Sequence, residues 1–255
     1  MNTQRIVSFD GVELAVHRLA PNGGQGRPVL LLHGLFSSAE VNWIKFGHAQ
    51  RLADAGFEAI MPDLRSHGAS DVPQGEESYP PDVLVKDALA LADKLGLQAG
   101  EFDLAGFSLG ARTSVQAVIA GLRPRKLVLG GMGLEGLGEW QKRSAFFIDA
   151  INRFDEIRSA DDPAYMAKSF MRTMKVDRAA ARLLLLSVRD TPPSALDGIT
   201  MPTLVVCGAD DNDNGSAPDL AAALPDATYA QVPGTHMSSV TEAAFGEAIV
   251  SFLKA

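Results

Sequence analysis

The chain has 255 residues, of which 46% are hydrophobic and 21% charged, with a formal net charge of −8 and a single cysteine. That composition supplies a sizeable core, while the acidic balance argues against a nucleic-acid partner, which would need clustered Lys and Arg. One cysteine excludes an internal disulfide and a Cys-rich zinc site. With no secretion signal and no apolar run near the ~18 residues of a membrane span, a cytoplasmic protein without a membrane partner is expected.

The first two alternating runs, RIVSF and ELAVHRL, flank Asp10-Gly11 and predict a hairpin with a two-residue turn. PNGGQG then reads as the loop that leaves it. Four continuous apolar runs follow, PVLLLHG, FEAIMPD, FDLAGFS and KLVLGGM, of the kind buried on both faces of a parallel sheet. Helix-period segments separate them at about residues 42–55, 81–95 and 109–120. From 133 to 197 the alternation stops, and EWQKRSAFFIDAINRFDEI, PAYMAKSFMRTM and DRAAARLLLLSV read as three helices. The strand PTLVVCG, a helix near 218–223, the strand TYAQV and an amphipathic helix over 242–253 close the chain. The expected architecture is α/β, a mostly parallel eight-stranded sheet with helices on both faces. Its core comprises 1–132 and 198–255, interrupted by a helical insertion at 133–197.

Ligand sites in such sheets lie at the carboxyl ends of the strands. There stands LAGFSLGAR, with Ser108 between Gly106 and Gly110, directly after one predicted strand and opening the next helix. A nucleophile on a sharp strand-to-helix turn needs small flanking residues, and the helix N-terminus favours developing negative charge. A serine also needs a base. Of five histidines, His17 lies in a strand and His48 in a helix, both structural, and His33 and His67 lie in loops. His236, in VPGTHMSSV beyond the last strand, is placed to reach the sheet's carboxyl edge. An acid for that histidine is available in CGADDNDN, as Asp210, Asp211 or Asp213. A calcium reading of this loop lacks a distal Glu. Cys207, in TLVVCGAD, reads as a small buried hydrophobe.

Ser, Asp and His in that order, after the fifth, seventh and eighth strands, resemble the α/β-hydrolase fold family in its serine hydrolase branch. The likeness spans the chain. VLLLHGLF is similar to the family's oxyanion segment, and IMPDLRSHGASD to its characteristic turn, with Ser66 in place of glycine. LAGFSLG resembles the nucleophile elbow, and DGITMPTLVVCGADD the approach to the acid. The family's spacing from Gly208 implies Asp211 as the acid, with Asp210 in reserve; Glu135 occupies a position that some members use instead. The resemblance further implies an oxyanion hole from the backbone N–H groups of Leu35 and Leu109, and structural roles for His33, Arg65 and His67. Two departures concern loop shape: NDNGSAP lacks the usual hydrophobic-Pro element after the acid, and Thr241 replaces a glutamate after His236.

These residues imply acyl transfer on a small or medium hydrophobic ester or lactone, with no cofactor and no metal. The insertion would form a cap, and its Phe146, Phe147, Tyr165, Phe170, Met171 and Met174 would pack it onto the core or line a pocket. Phe146, Phe147 and Phe170, together with Phe36 and Met237, are the expected pocket residues. Phe107 and Met237 stand where the family's C–C hydrolases show Asn and Trp, which weakens that alternative, and the serine argues against the family's epoxide hydrolases and haloalkane dehalogenases, which use aspartate at the elbow. Perhydrolysis of the kind carried out by cofactor-free haloperoxidases, and a small-molecule receptor without turnover, remain as alternatives. Oligomeric state is left open.

Overall fold

A computed structural model describes residues 1–255. Its strands are β1 (Asn2–Val7), β2 (Glu13–Leu19), β3 (Arg27–Leu32), β4 (Phe57–Pro62), β5 (Asp103–Phe107), β6 (Leu127–Gly130), β7 (Thr203–Gly208) and β8 (Ala227–Val232). They form one sheet in the order β1-β2-β4-β3-β5-β6-β7-β8. Only the pairs β1–β2 and β2–β4 are antiparallel. The α/β-hydrolase architecture expected from the sequence is the one observed.

The period-2 alternation of a strand divides the core. Leu30 and Leu32 of β3 face one apolar cluster, and Val29 and Leu31 face the other. On the second face, α1 (His48–Asp54) and α10 (Ala243–Lys254) cover the sheet through Ala49, Leu52, Phe245 and Ile249. Phe245 is fully buried, and a side chain of that kind contributes about 1.5–3 kcal/mol. On the first face lie α2 (Val83–Lys94), α3 (Leu109–Ile119) and α8 (Ala217–Ala223).

Two local expectations are corrected. Val7 pairs with Glu13, so five residues, not two, connect β1 to β2. Asp10 stays in a turn, closed by the Gly11 N–H donating to the Ser8 carbonyl at 3.4 Å, and both its carboxylate oxygens accept from Arg65, at 2.7 and 2.8 Å. The helix expected over 42–55 is broken. A π-helical turn, Glu40–Ile44, precedes α1, and Gly47 between them has a left-handed φ of 78°.

Between β6 and β7 the chain forms α4 (Leu134–Gly138), α5 (Trp140–Asn152), α6 (Tyr165–Thr173), α7 (Arg178–Ser187) and a 3-10 turn, Pro193–Gly198. The sequence reading found α5, α6 and α7 but not the short α4. Leu137, Trp140, Ile151, Met171 and Leu184 of this segment belong to the same cluster as the sheet's first face. The segment therefore has no separate core. Its two ends are tied: the Thr191 N–H donates to the Leu137 carbonyl at 2.9 Å. Arg112 of α3 donates to the carbonyls of Gly136 and Arg189 and lies 4.9 Å from the Trp140 ring. Burial lowers that guanidinium to about 10. No helix of the chain is long and apolar enough to cross a membrane.

Candidate active site

Ser108 sits between β5 and α3 with φ 53° and ψ −112°, a backbone conformation that non-glycine residues rarely hold. The flanking glycines make that turn possible. A Cβ on Gly106 would collide with the Gly110 carbonyl, and one on Gly110 with the Leu32 carbonyl. Strand and helix thus pass closer than any side chain allows, and Ser108 is pushed up at the carboxyl end of the sheet.

His236 Nε2 is 3.0 Å from Ser108 Oγ, and its Nδ1 is 2.9 Å from Asp211 Oδ2. Burial pushes the Asp211 carboxyl up. The hydrogen bond and charge of His236, the Asp213 N–H and the Arg143 charge outweigh this and hold it below the ordinary carboxylate value. An ionised carboxylate only accepts, so Nδ1 carries the imidazole proton and Nε2 is free to accept from the serine hydroxyl. The ring lies 5.1 Å from that of Phe107. His236 opens a four-residue helix, α9 (His236–Ser239), which the sequence reading missed. Thr235 and Ser238 form a capping box there, with the Thr235 N–H donating to Ser238 Oγ at 2.8 Å. Thr241 donates to the Ser238 carbonyl at 2.7 Å and closes the other end of α9.

Asp210 and Asp213 are exposed, and only Asp211 of the three carboxylates meets the histidine. The side chain of Glu135 accepts from the Ser216 N–H at 2.8 Å and does not reach His236. Cys207 is buried, and burial followed by the Asp211 charge pushes its thiol up to about 12.

The loop after β3 is held by His33 and His67, for which the resemblance implied structural roles, and by Asn42 and Asp63, which the sequence did not single out. Asn42 Oδ1 accepts the Gly34 N–H at 2.8 Å, and His67 Nε2 accepts the Phe36 N–H at 3.0 Å. His33 Nε2 accepts the Leu64 N–H at 2.9 Å. Asp63 accepts the N–H groups of Ala39 and Ala69, each at 2.8 Å. With its neighbours occupied, the Leu35 N–H has no partner within the loop. Leu109, the first residue of α3, has none within its helix. Two free N–H groups thus border the cleft beside Ser108. Burial keeps both loop histidines neutral: it lowers His33 and, as the largest cause, brings His67 down to about 3.

Ser108 and His236 open into a cleft of about 1090 Å³. All five expected pocket residues, Phe36, Phe146, Phe147, Phe170 and Met237, line it. Tyr165, Met171 and Met174 do not, and Met171 is instead buried in the core. The lining is more polar than the sequence suggested, because Lys45, Arg112, Glu135, Glu139 and Arg143 also face it. Helical periodicity located the aromatic residues, but which charged residues turn inward depends on how the helices dock. No group of three or more His, Cys, Asp or Glu side chains is arranged to hold a metal ion.

A sequence profile of the alpha/beta hydrolase family matches residues 29–247. Epoxide hydrolase A of Mycobacterium tuberculosis is 33% identical over 96 residues, covering 38% of this chain and 28% of that enzyme. The chain thus aligns with less than a third of that relative's length. Among solved structures, a hydrolase from Pseudomonas aeruginosa superimposes with a TM-score of 0.74 and 25% identity, over 100% of this chain and 99% of that one. An enol-lactonase from Burkholderia xenovorans superimposes with a TM-score of 0.73 and 22% identity, over 99% of this chain and 100% of its own. By its profile match and its topology, this chain belongs to the alpha/beta hydrolase family.

Proposed function

We propose that the protein is a serine hydrolase that acts by acyl transfer on a small or medium-sized hydrophobic carboxylic ester or lactone. The observation that carries this reading is the continuous hydrogen-bonded relay from Ser108 through His236 to Asp211, with the serine on a strained turn. As Ser108 Oγ attacks the substrate carbonyl, its proton passes to His236 Nε2. The Leu35 and Leu109 N–H groups receive the developing oxyanion, donors of a kind that contribute about 3 kcal/mol each. The tetrahedral adduct expels the alcohol, which takes the proton from His236, and leaves an acyl-serine. Water activated by His236 then releases the acid. Ionised Asp211 fixes the imidazole tautomer and stabilises the imidazolium. Residues 133–197 serve as a cap, whose Phe146, Phe147 and Phe170 give the acyl or alcohol part an apolar surface.

Epoxide opening, the activity named for the Mycobacterium relative, is disfavoured by the nucleophile. An aspartate would form an ester that water can cleave, whereas Ser108 would form an alkyl ether that this site could not hydrolyse. The test is a panel of p-nitrophenyl esters of increasing acyl length beside a set of lactones, with wild type and Ser108→Ala. Saturable hydrolysis by wild type, lowered by about 10³-fold or more in the variant, supports the reading. Epoxide hydrolysis without ester hydrolysis overturns it.

A further inference from the structure

We propose that Arg143, on α5, is a positioning residue for the acid of the relay, holding the loop that carries Asp211 from the side of the insertion. The inference rests on the reading of Ser108, His236 and Asp211 as the catalytic relay.

The segment between β7 and α8 has no regular structure and lacks the proline element expected of it, so its shape must come from contacts. Its later half is seated by α4 and by the end of β6. The Gly136 N–H donates to the Asn214 carbonyl at 2.8 Å, and the Leu134 N–H to the Ser216 carbonyl at 3.1 Å. Asn214 Nδ2 donates to the Gly131 carbonyl at 2.7 Å. None of these bonds reaches Asp213. That residue matters most for the acid, because its N–H donates to Asp211 Oδ1 at 3.1 Å while Oδ2 faces His236.

Arg143 supplies the missing hold. Its Nη1 donates to the Asp213 carbonyl, so one residue is gripped at its carbonyl by the insertion and at its amide by the acid. The Asp213 carboxylate is not the target: it stands 3.9 Å from Nη2 and is half exposed. Arg143 is itself largely withdrawn from water, 5.6 Å from the Phe147 ring, and burial lowers its guanidinium. The same charge helps keep Asp211 ionised. Displacing α5 from the cleft would withdraw this donor, so the relay is fully assembled only when the insertion is seated.

A double-mutant cycle on purified full-length protein tests this, with kcat and KM measured on the best ester of the panel. Arg143→Gln is expected to lower kcat by about 10-fold or more, with KM moving less than about 3-fold, as for loss of an interaction made in the transition state. In the Asp211→Asn background the same change should alter kcat by less than about 2-fold, because residues that act as a unit are non-additive. Arg143→Lys, which keeps a cation and one donor path, should recover part of kcat. If Arg143→Gln does not fold, the cycle is run with Arg143→Lys, whose smaller loss of kcat should likewise disappear in the Asp211→Asn background. Equal fold losses in both backgrounds, or a loss confined to KM, overturn the proposal while leaving the serine relay intact. Wild-type protein whose hydrolysis is indifferent to Ser108→Ala overturns the relay, and this proposal with it.

Discussion

His67 Nε2 accepts the backbone N–H of Phe36 at 3.0 Å, and Phe36 is held there in the left-handed region, at φ 59°. A neutral imidazole therefore braces the loop that presents the Leu35 N–H to the cleft. His67 Nδ1 donates to the Arg65 carbonyl at 2.8 Å, so both ring nitrogens are committed and protonation would break the brace.

Acid should thus destabilise the protein earlier than its carboxylates alone would. Burial holds His67 at about 3, so as pH falls below about 6.5 the unfolded chain takes up a proton that the folded chain refuses. Stability from this group is complete above the unfolded value and is lost toward acid at about 1.4 kcal/mol per pH unit, until the folded value is reached. Urea unfolding between pH 6 and 4.5 checks it: His67→Gln should show a slope against pH shallower by about that amount. An unchanged slope would contradict the assignment of a buried neutral imidazole.

The elbow depends on two absent side chains. Gly110→Ala places a methyl group against the Leu32 carbonyl, and neither backbone can yield. A loss of about 3 kcal/mol or more is expected, or about 6 °C in Tm. Gly198→Ala, where a Cβ meets nothing within 4 Å, should stay within about 0.5 kcal/mol. Similar Tm values for the two variants would refute the close passage of α3 and the end of β3.

Arg65 has no exposed side-chain surface and bridges Asp10 on the β1–β2 connection to Asp87 on α2. Arg65→Met leaves Asp87, only 2% exposed, as an unpaired buried charge. Its removal should destabilise the fold by about 3–5 kcal/mol. Adding Asp87→Leu should recover part of this in a denaturant titration, since an apolar replacement removes the stranded carboxylate. A double variant less stable than Arg65→Met would show that packing, not charge, dominates there.

The two adjacent aspartates separate cleanly. Asp211→Asn should lower kcat by about 10⁴-fold, because an amide at that position favours the wrong imidazole tautomer. Asp210→Asn, on an exposed side chain with no path to His236, should leave kcat within about 2-fold. The reverse pattern would move the acid by one residue.

The sheet, Ser108 and His236 were legible because continuous apolar runs, glycine punctuation and strand ends are local signals, whereas the choice of Asp211 among three aspartates came only from the spacing of the family that the sequence resembles. The length of the first connection was not legible, and no signal in the sequence joins Asp10 to Arg65, fifty-five residues away. Nor was the support of the site. Nothing local marks Asn42 as the acceptor for Gly34, or Arg143 as the donor to Asp213. Those contacts exist only once the helices have docked. Periodicity placed Phe147 and Met171 alike on apolar faces, yet docking sent the first to the cleft and the second to the core.

The most direct test is covalent. Wild-type protein and Ser108→Ala are incubated with a fluorophosphonate at neutral pH and analysed by intact mass and peptide mapping. One adduct per chain, on Ser108, formed rapidly in wild type and absent from the variant, is the predicted result. Well-folded wild type that stays unlabelled, or that is labelled at another residue, contradicts the claim that His236 makes this hydroxyl a nucleophile.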